Sequence, residues 1–287
     1  MTSPGTLLKA WELKPKKQLG QNFLSADAAK MIVNRAEISA DDTVLEIGAG
    51  LGALTIPAAK AAAQVYAMET DSRILDLLKT ELQVHCLDNV QIMKQDILRF
   101  DMEEFVRREN IRGKLLVMGN LPYNISSQVA VQLIFARKHI SRAVIMFQKE
   151  LARRLVAHPG SRDYGRLSVM LRYCSDIRTV ATLKAAMFYP VPKVDSEVVE
   201  IRFKEPDDPA EDEAFLFSVI KASFGQRRKT MRNALAGSEL HIHPDTAYKS
   251  LETAGIDPKQ RAETLTVEEF VKLSRCLGQV PMLSPVR

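Results

Sequence analysis

The stretch Thr43–Thr55, "TVLEIGAGLGALT", decides the fold. Its first five residues form a short, mostly aliphatic run that stops at a cluster of glycines, which is how a buried strand reads. Gly48 and Gly50 carry no side chain to block the close approach of a ligand, and Gly52 or Ala53 allows the following helix to pack tightly on the strand. A glycine-rich turn from strand to helix is the opening of a ligand-binding α/β unit, although a plain tight turn uses the same residues.

Outward from that stretch, similar runs recur at "VYAME" from Val65, "VQIMK" from Val90, "KLLVMG" from Lys114 and "RAVIMF" from Arg142. Helical periodicity fills the intervals, so the expectation is an α/β fold with a mostly parallel, doubly wound sheet. Two extended segments, Asp176–Leu183 and Val198–Phe203, are predicted to add antiparallel edge strands. "EPDDPAEDE", residues 205–213, has six acids, two prolines and no base, and reads as a linker entering the acidic first turn of a helix. Ala214–Gly278 shows helical periodicity alone. The predicted division is therefore a sheet domain over 1–205 and a small all-helical domain over 206–287.

A chain of 287 residues with 46% hydrophobic and 26% charged residues has the composition of a folded globular protein, which excludes disordered and fibrous classes. The formal charge of +5 is unevenly spread. Arg137–Arg178 holds ten Lys or Arg against three acids, and Lys221–Asn233 holds five against none. Such clusters fit a polyanion partner or a solvated basic face. Cys86, Cys174 and Cys276 are too few and too scattered for a disulfide framework or a zinc ligand set. No apolar segment resembles a secretion signal or a membrane span, so a cytoplasmic protein without a membrane partner is expected. His241 and His243 lie in a polar segment and read as surface residues, and no metal site is expected.

The carboxyl ends of the strands carry the chemistry, as expected for an open α/β sheet. Glu69, 21 positions after Gly48, ends the second run, where it can accept both hydroxyls of a ribose. A charged acceptor of that kind contributes about 1.5–3 kcal/mol. Ribose alone does not separate a nicotinamide dinucleotide from S-adenosylmethionine. Asp96 ends the third run in "QDIL", placed either to accept from an adenine amino group or to cap the helix at Met102.

Asn120 ends the fourth run in "NLPY". Its amide oxygen accepts hydrogen bonds without being a base, the Leu121 carbonyl is a second acceptor, and Pro122 has no N–H to offer. Two neighbouring acceptors suit an aromatic amine, whose lone pair attacks poorly until both hydrogens are held. A sulfonium methyl group is already a strong electrophile, so alignment matters more than acid or base chemistry and is worth about 7–11 kcal/mol. Tyr123 can then stack on the base at about 1–3 kcal/mol, comparable to the cost of unstacking a loosely held nucleotide. The plain alternative is that Asn120 caps a helix and Tyr123 is core.

These residues resemble the ribosomal RNA adenine dimethyltransferases, most closely their bacterial small-subunit (KsgA) branch. The resemblance runs from "KKQLGQNFL" at 16 through "LEIGAGLGALT", "QDIL", "NLPYNISS" and "MFQKELARRL" to "FYPVPKVDSEVV" at 188 and "FGQRRKTMRNAL" at 224. It implies a Rossmann-like methyltransferase fold using S-adenosylmethionine. The implied reaction dimethylates the amines of two adjacent adenines in a loop near the 3′ end of 16S rRNA, in a precursor of the small ribosomal subunit, by a monomeric enzyme.

By matching motif, the resemblance assigns Gln21, Asn22 and Leu24 to a cover over the cofactor, and Gly48, Gly50, Glu69, Asp96, Ile97 and Asn120 to its contacts. It assigns Asn120, Leu121 and Tyr123 to the target base, and Phe188 to the other face of that base, against the alternative of a buried loop aromatic. Arg153 and Arg154, with Arg227, Arg228, Lys229 and Arg232, are the candidate RNA contacts. On a helix Arg228 and Arg232 share a face; a solvated cationic helix is the alternative.

Gln95 stands where a small residue is common, and Glu69 with Asp71 is a looser version of the usual acid pair. The stretch before Lys14 matches no motif. Three other readings stay open: an enzyme of the related class that methylates large-subunit RNA, a nicotinamide oxidoreductase, and an RNA-binding assembly factor without catalysis.

Overall fold

In the computed structural model, which describes residues 2–226 and 228–279, the chain forms two compact units. The first comprises Met1–Ala152 and Ile177–Phe203, the second Arg153–Asp176 and Lys204–Arg287. The second unit thus takes in a segment that the sequence reading left in the sheet domain, because no change of composition marks its ends.

The strands are β1 (Phe23–Leu24), β2 (Thr43–Ile47), β3 (Gln64–Glu69), β4 (Val90–Lys94), β5 (Leu115–Asn120), β6 (Ile140–Gln148), β7 (Ser175–Leu183), β8 (Phe188–Tyr189) and β9 (Ser196–Phe203). Seven of them make one sheet in the order β4-β3-β2-β5-β6-β9-β7. β2 through β6 pair in parallel, and β9 joins β6 antiparallel with Ser196 opposite Gln148. β1 and β8 form a separate antiparallel pair with Leu24 opposite Phe188. The central strands are apolar throughout because helices cover both faces, the pattern that parallel sheets require.

The first unit carries helices α1 (Pro4–Ala10), α2 (Ala26–Ala36), α3 (Thr55–Ala59), α4 (Ser72–Val84), α5 (Met102–Arg108) and α6 (Ser126–Phe135), and α7 (Lys149–Val156) runs from it into the second. One apolar cluster joins Ile32 of α2 with Val44, Leu116, Val144 and Val198 of the sheet; another joins Leu78 and Leu82 of α4 with Ile56 and Ala67. Side chains start several helices by accepting the first free amides: Ser25 for α2, Asp71 for α4 and Asp101 for α5.

The second unit holds α8 (Arg166–Cys174), α9 (Glu213–Phe224), α10 (Met231–Ala236), α11 (Pro244–Thr253) and α12 (Val267–Gly278). Tyr164 meets Phe224 edge-on and Phe224 meets Phe270 at a tilt in its core, with centroids 6.1 and 5.9 Å apart. The acidic stretch before α9 is pinned: Asp208 takes both guanidinium nitrogens of Arg275, and the Ala210 N–H donates to the Tyr173 hydroxyl at 3.0 Å.

The helical reading of Arg228 is corrected here. α9 ends at Phe224 with Gly225 behind it, and Thr230 is extended where it precedes α10, so Arg228 lies in the intervening turn and shares no helix face with Arg232. No helix among the described residues is long and apolar enough to cross a membrane.

Candidate active site

β3 lies on one side of β2 and β5 on the other, so the connections from β2 and β5 leave in opposite directions and open a crevice at their carboxyl ends. A cleft opens there, the usual place for a small-molecule site in such a sheet. Gln21, Asn22, Leu24, Gly48, Gly50, Glu69, Asp96, Ile97 and Asn120 all line it.

Gly48 and Gly50 have φ of 77° and 53°, which turns the backbone between β2 and α3 toward the cavity. The Glu69 carboxylate is oriented by three backbone amides: Oε2 accepts from Gly50 at 3.1 Å, and Oε1 from Thr70 at 2.8 Å and Asp71 at 3.0 Å. Asp96 Oδ1 accepts from the Leu98 N–H at 3.0 Å, capping the single turn Ile97–Arg99. The helix at Met102 is capped by Asp101, so the capping role weighed for Asp96 there belongs to Asp101.

The segment before β1 closes over the cavity and is tied down twice. Asn120 Nδ2 donates to the Asn22 carbonyl at 2.7 Å. Gln21 accepts from the Lys16 N–H at 2.8 Å and donates to Asp71 at 3.1 Å. Asp71, its side chain 1% exposed, also receives Lys16 at 3.3 Å and Arg73 at 2.8 Å. The Arg73 hydrogen bonds, helped by Gln21 and Lys16, hold its carboxyl well below the usual range.

Asn120 stands in register with Met146 of β6. The residue before it has to be glycine: a Cβ on Gly119 would lie 2.7 Å from the Ile47 carbonyl of β2. Because the Asn120 amide nitrogen is committed to Asn22, its oxygen is left as the acceptor. The Leu121 side chain is buried, and Ser126 donates to the Pro122 carbonyl at 2.9 Å, bracing the loop. Tyr123 is half-buried with its hydroxyl 3.1 Å from Ser196 Oγ, and burial pushes its pKa up.

Leu121, Tyr123 and Phe188 are not among the cavity walls. Phe188 is 4% exposed and belongs to the apolar cluster with Leu24, Leu183 and Val198, which agrees with the alternative of a buried aromatic. Pairing of β8 with β1 turns it toward the core, and alternation along the strand leaves Tyr189, 47% exposed, facing outward.

One lining residue escaped the sequence reading. Glu46, 2% exposed, accepts from Thr55 Oγ1 at 2.5 Å, and burial raises its pKa to about 8. A lone acid inside the aliphatic run "TVLEI" was the signal for it. Glu46, Glu69 and Asp96 line the cavity, and no Lys, Arg or His does so among the described residues. Acceptors without a cation suit a ligand carrying positive charge.

In the second unit Arg153, Arg154, Arg228 and Lys229 are exposed. Arg232 is committed internally, 5.7 Å over the Tyr248 ring and 3.8 Å from Asp245. Arg227 lies outside the described residues. His243 caps α11 through Nδ1, which accepts from the Asp245 N–H at 3.3 Å.

The family model described as ribosomal RNA adenine dimethylase matches residues 12–279. A curated relative from Desulforapulum autotrophicum, named ribosomal RNA small subunit methyltransferase A, is 54% identical over 279 residues, covering 96% of this chain and 97% of the relative. One of the same name from Myxococcus xanthus is 40% identical over 280 residues, covering 97% and 96%. Among solved structures, a dimethyladenosine transferase from Plasmodium falciparum aligns with TM-score 0.73 and 25% identity over 88% of this chain and 95% of that one. The 23S rRNA methyltransferase ErmE aligns with TM-score 0.66 and 26% identity over 90% and 100%.

Proposed function

The chain belongs to the ribosomal RNA adenine dimethylase family, and from that premise we propose that it dimethylates the exocyclic amine of adenine in small-subunit ribosomal RNA with S-adenosylmethionine as donor. The bound cofactor supplies an activated methyl group on a sulfonium. The cavity fits a cationic donor of this kind by Glu69 and Asp96 in its walls and by the lack of Lys, Arg or His among its described lining residues.

The protein's share of the reaction is alignment. Glu69, already fixed by the Gly50, Thr70 and Asp71 amides, receives the ribose hydroxyls, and Asp96 and Ile97 border the adenine. Asn120 Oδ1 and the Leu121 carbonyl hold the two N–H bonds of the target amine and draw its lone pair out of the ring. Tyr123 stacks on the base. Transfer would break the methyl–sulfur bond, leaving the donor as a neutral thioether and the target as an ammonium acidic enough to lose its proton to water, so no general base would be required. Holding the reactants in line contributes about 7–11 kcal/mol of the barrier.

The observation that carries this reading is the 2.7 Å hydrogen bond from Asn120 Nδ2 to Asn22, which leaves the amide oxygen as acceptor at the mouth of the cavity. Small-subunit specificity is supported by relatives at 54% and 40% identity, against 26% for the large-subunit enzyme, so that alternative is not favoured. The substrate is two adjacent adenines in a loop near the 3′ end of 16S rRNA, met in a small-subunit precursor in the cytoplasm by a monomeric enzyme. Arg153, Arg154, Arg228 and Lys229 are its exposed candidates for phosphate contacts in the helical unit.

Incubation with tritiated S-adenosylmethionine and undermethylated small subunits tests the reading. Label is expected in dimethyladenosine on nucleoside analysis; absence of label from RNA with wild-type protein defeats it.

A further inference from the structure

Residues 2–13 match no motif, yet they are built into the fold. Ser3 caps α1 and Pro4 opens it. Leu8 is 2% exposed in a cluster with Phe23, Leu51, Ile74 and Leu77, and Leu7 and Leu13 pack against it. A Cβ added to Gly5 would sit 3.5 Å from the Tyr189 ring, so α1 also lies against β8. Further on, Lys16 pairs with Asp71. The segment is thereby anchored to both β1, which lines the cavity, and the strand that follows it in the β1–β8 pair.

Its outer side is composed differently. Trp11, the one tryptophan of the chain, is 38% exposed immediately behind α1, and Tyr189 is 47% exposed on β8. Lys9, Lys14 and Lys17 are exposed and have no ion-pair partner among the described residues. Glu12 is the one acid among residues 2–17. Leu8 has Gly5 and Trp11 as its i−3 and i+3 neighbours, so the buried contact is flanked on one side by the glycine under Tyr189 and on the other by the tryptophan. A helix that only braced the fold would need the Leu8 face and nothing else. Two open aromatic rings interleaved with unpaired cations are what a single nucleic-acid strand binds: bases stack on rings, and phosphates meet lysines.

We propose that α1, its basic extension and β8 form a docking platform for the single-stranded RNA that flanks the target nucleotide. Trp11 and Tyr189 stack unpaired bases, and Lys9, Lys14 and Lys17 contact phosphates. The platform rests on the RNA-methylating reading given above and adds to it a contact surface continuous with the cofactor cavity through β1. It reads no sequence, because stacking and phosphate contacts tolerate any base.

The test uses the full chain, with Trp11 as its own reporter. Titration with a single-stranded oligoribonucleotide is expected to quench and shift tryptophan emission, whereas heparin, a polyanion without bases, is expected to leave it nearly unchanged. The triple variant K9Q/K14Q/K17Q keeps Trp11 and touches no paired side chain. It is expected to raise the KM for RNA about tenfold, with kcat and the KM for S-adenosylmethionine unchanged. It should also flatten the log–log salt dependence of binding by about 2, at roughly 0.7 per phosphate contact. Tyr189→Ala is expected to raise the same KM severalfold, with a thermal midpoint matching wild type as the check on folding.

The proposal is overturned if RNA leaves the emission unmoved, if heparin quenches as RNA does, or if the triple variant retains the wild-type KM and salt slope. Failure of the methylation reading is a separate result, since wild-type protein would then transfer no label to RNA at all.

Discussion

Asn120 and Asn22 are joined by a 2.7 Å hydrogen bond between an amide nitrogen and a backbone carbonyl. The bond links the cover of the cavity to the end of β5 and leaves the Asn120 amide oxygen as an acceptor. Under the proposed function, closure and substrate recognition are coupled in this one side chain.

Asn120→Asp tests that coupling. The variant loses the donor to Asn22 and places a charge beside it. Turnover is expected to fall by about 10²–10³-fold, the scale seen when one positioned hydrogen-bonding group is removed from an active site. Asn120→Ala should fall as far, and single-turnover methylation with both substrates saturating measures it. Either variant retaining wild-type turnover would remove Asn120 from the chemistry.

Tyr123 separates ring from hydroxyl. Among the described residues its hydroxyl meets Ser196 Oγ alone, at 3.1 Å, so Tyr123→Phe should stay within about threefold of wild type, corresponding to a net hydrogen bond of under about 1 kcal/mol. Tyr123→Ala loses the stacking surface, about 1–3 kcal/mol, and should raise the KM for RNA or lower kcat by roughly 5- to 150-fold. Parallel kinetics of the two variants decide whether the ring matters.

Asp71 ties the cover down through Lys16 and Gln21 and is itself held by Arg73 of α4. Asp71→Asn should raise the KM for S-adenosylmethionine more than it lowers kcat, and should destabilise the chain by about 1–3 kcal/mol at pH 7. Because the folded carboxyl is held below its ordinary value of 3.8, its contribution is present above that pH and is lost as pH falls below it. The stability difference between wild type and variant should therefore shrink in acid, which denaturant titrations at pH 7 and pH 3 compare.

Glu46 titrates in the opposite sense. Burial raises its pKa from 4.5 to about 8, so the folded chain keeps a proton that the unfolded chain has released. Its stabilisation is complete below pH 4.5 and is lost as pH rises through about 8, with a slope approaching about 1.4 kcal/mol per pH unit. Glu46→Gln carries no titrating group and should lack that slope. Urea midpoints between pH 5 and 8 measure it, and parallel curves for the two proteins would assign the titration elsewhere.

The sheet was legible because its strands are short aliphatic runs separated by helical spacing, a pattern set by burial on both faces. The ligand edge was legible too, since Gly48, Glu69, Asp96 and Asn120 each end such a run. Less visible were features set by contacts distant in sequence. Glu46 hid inside an aliphatic run because its partner, Thr55, lies beyond the glycine loop. α1 is only seven residues long, too short to show a period, and its buried Leu8 is explained by Phe23 and Leu77 rather than by its neighbours. The two readings of Phe188 stay open in the sequence because a two-residue strand gives no alternation to read. Arg228 was placed on a helix by spacing alone, while Gly225 and Thr230 mark a break before α10.

The helical unit is assembled from two separate pieces of chain, Arg153–Asp176 and Lys204–Arg287. Tyr164, which packs edge-on against Phe224, comes from the first piece, and Phe224 from the second. A gene fragment encoding only the last eighty or so residues therefore lacks part of its own core, so this unit cannot be exchanged between proteins as a cassette. During synthesis it stays unfinished until the sheet strands between its pieces have been made, which binds the inheritance and the folding order of the two units together.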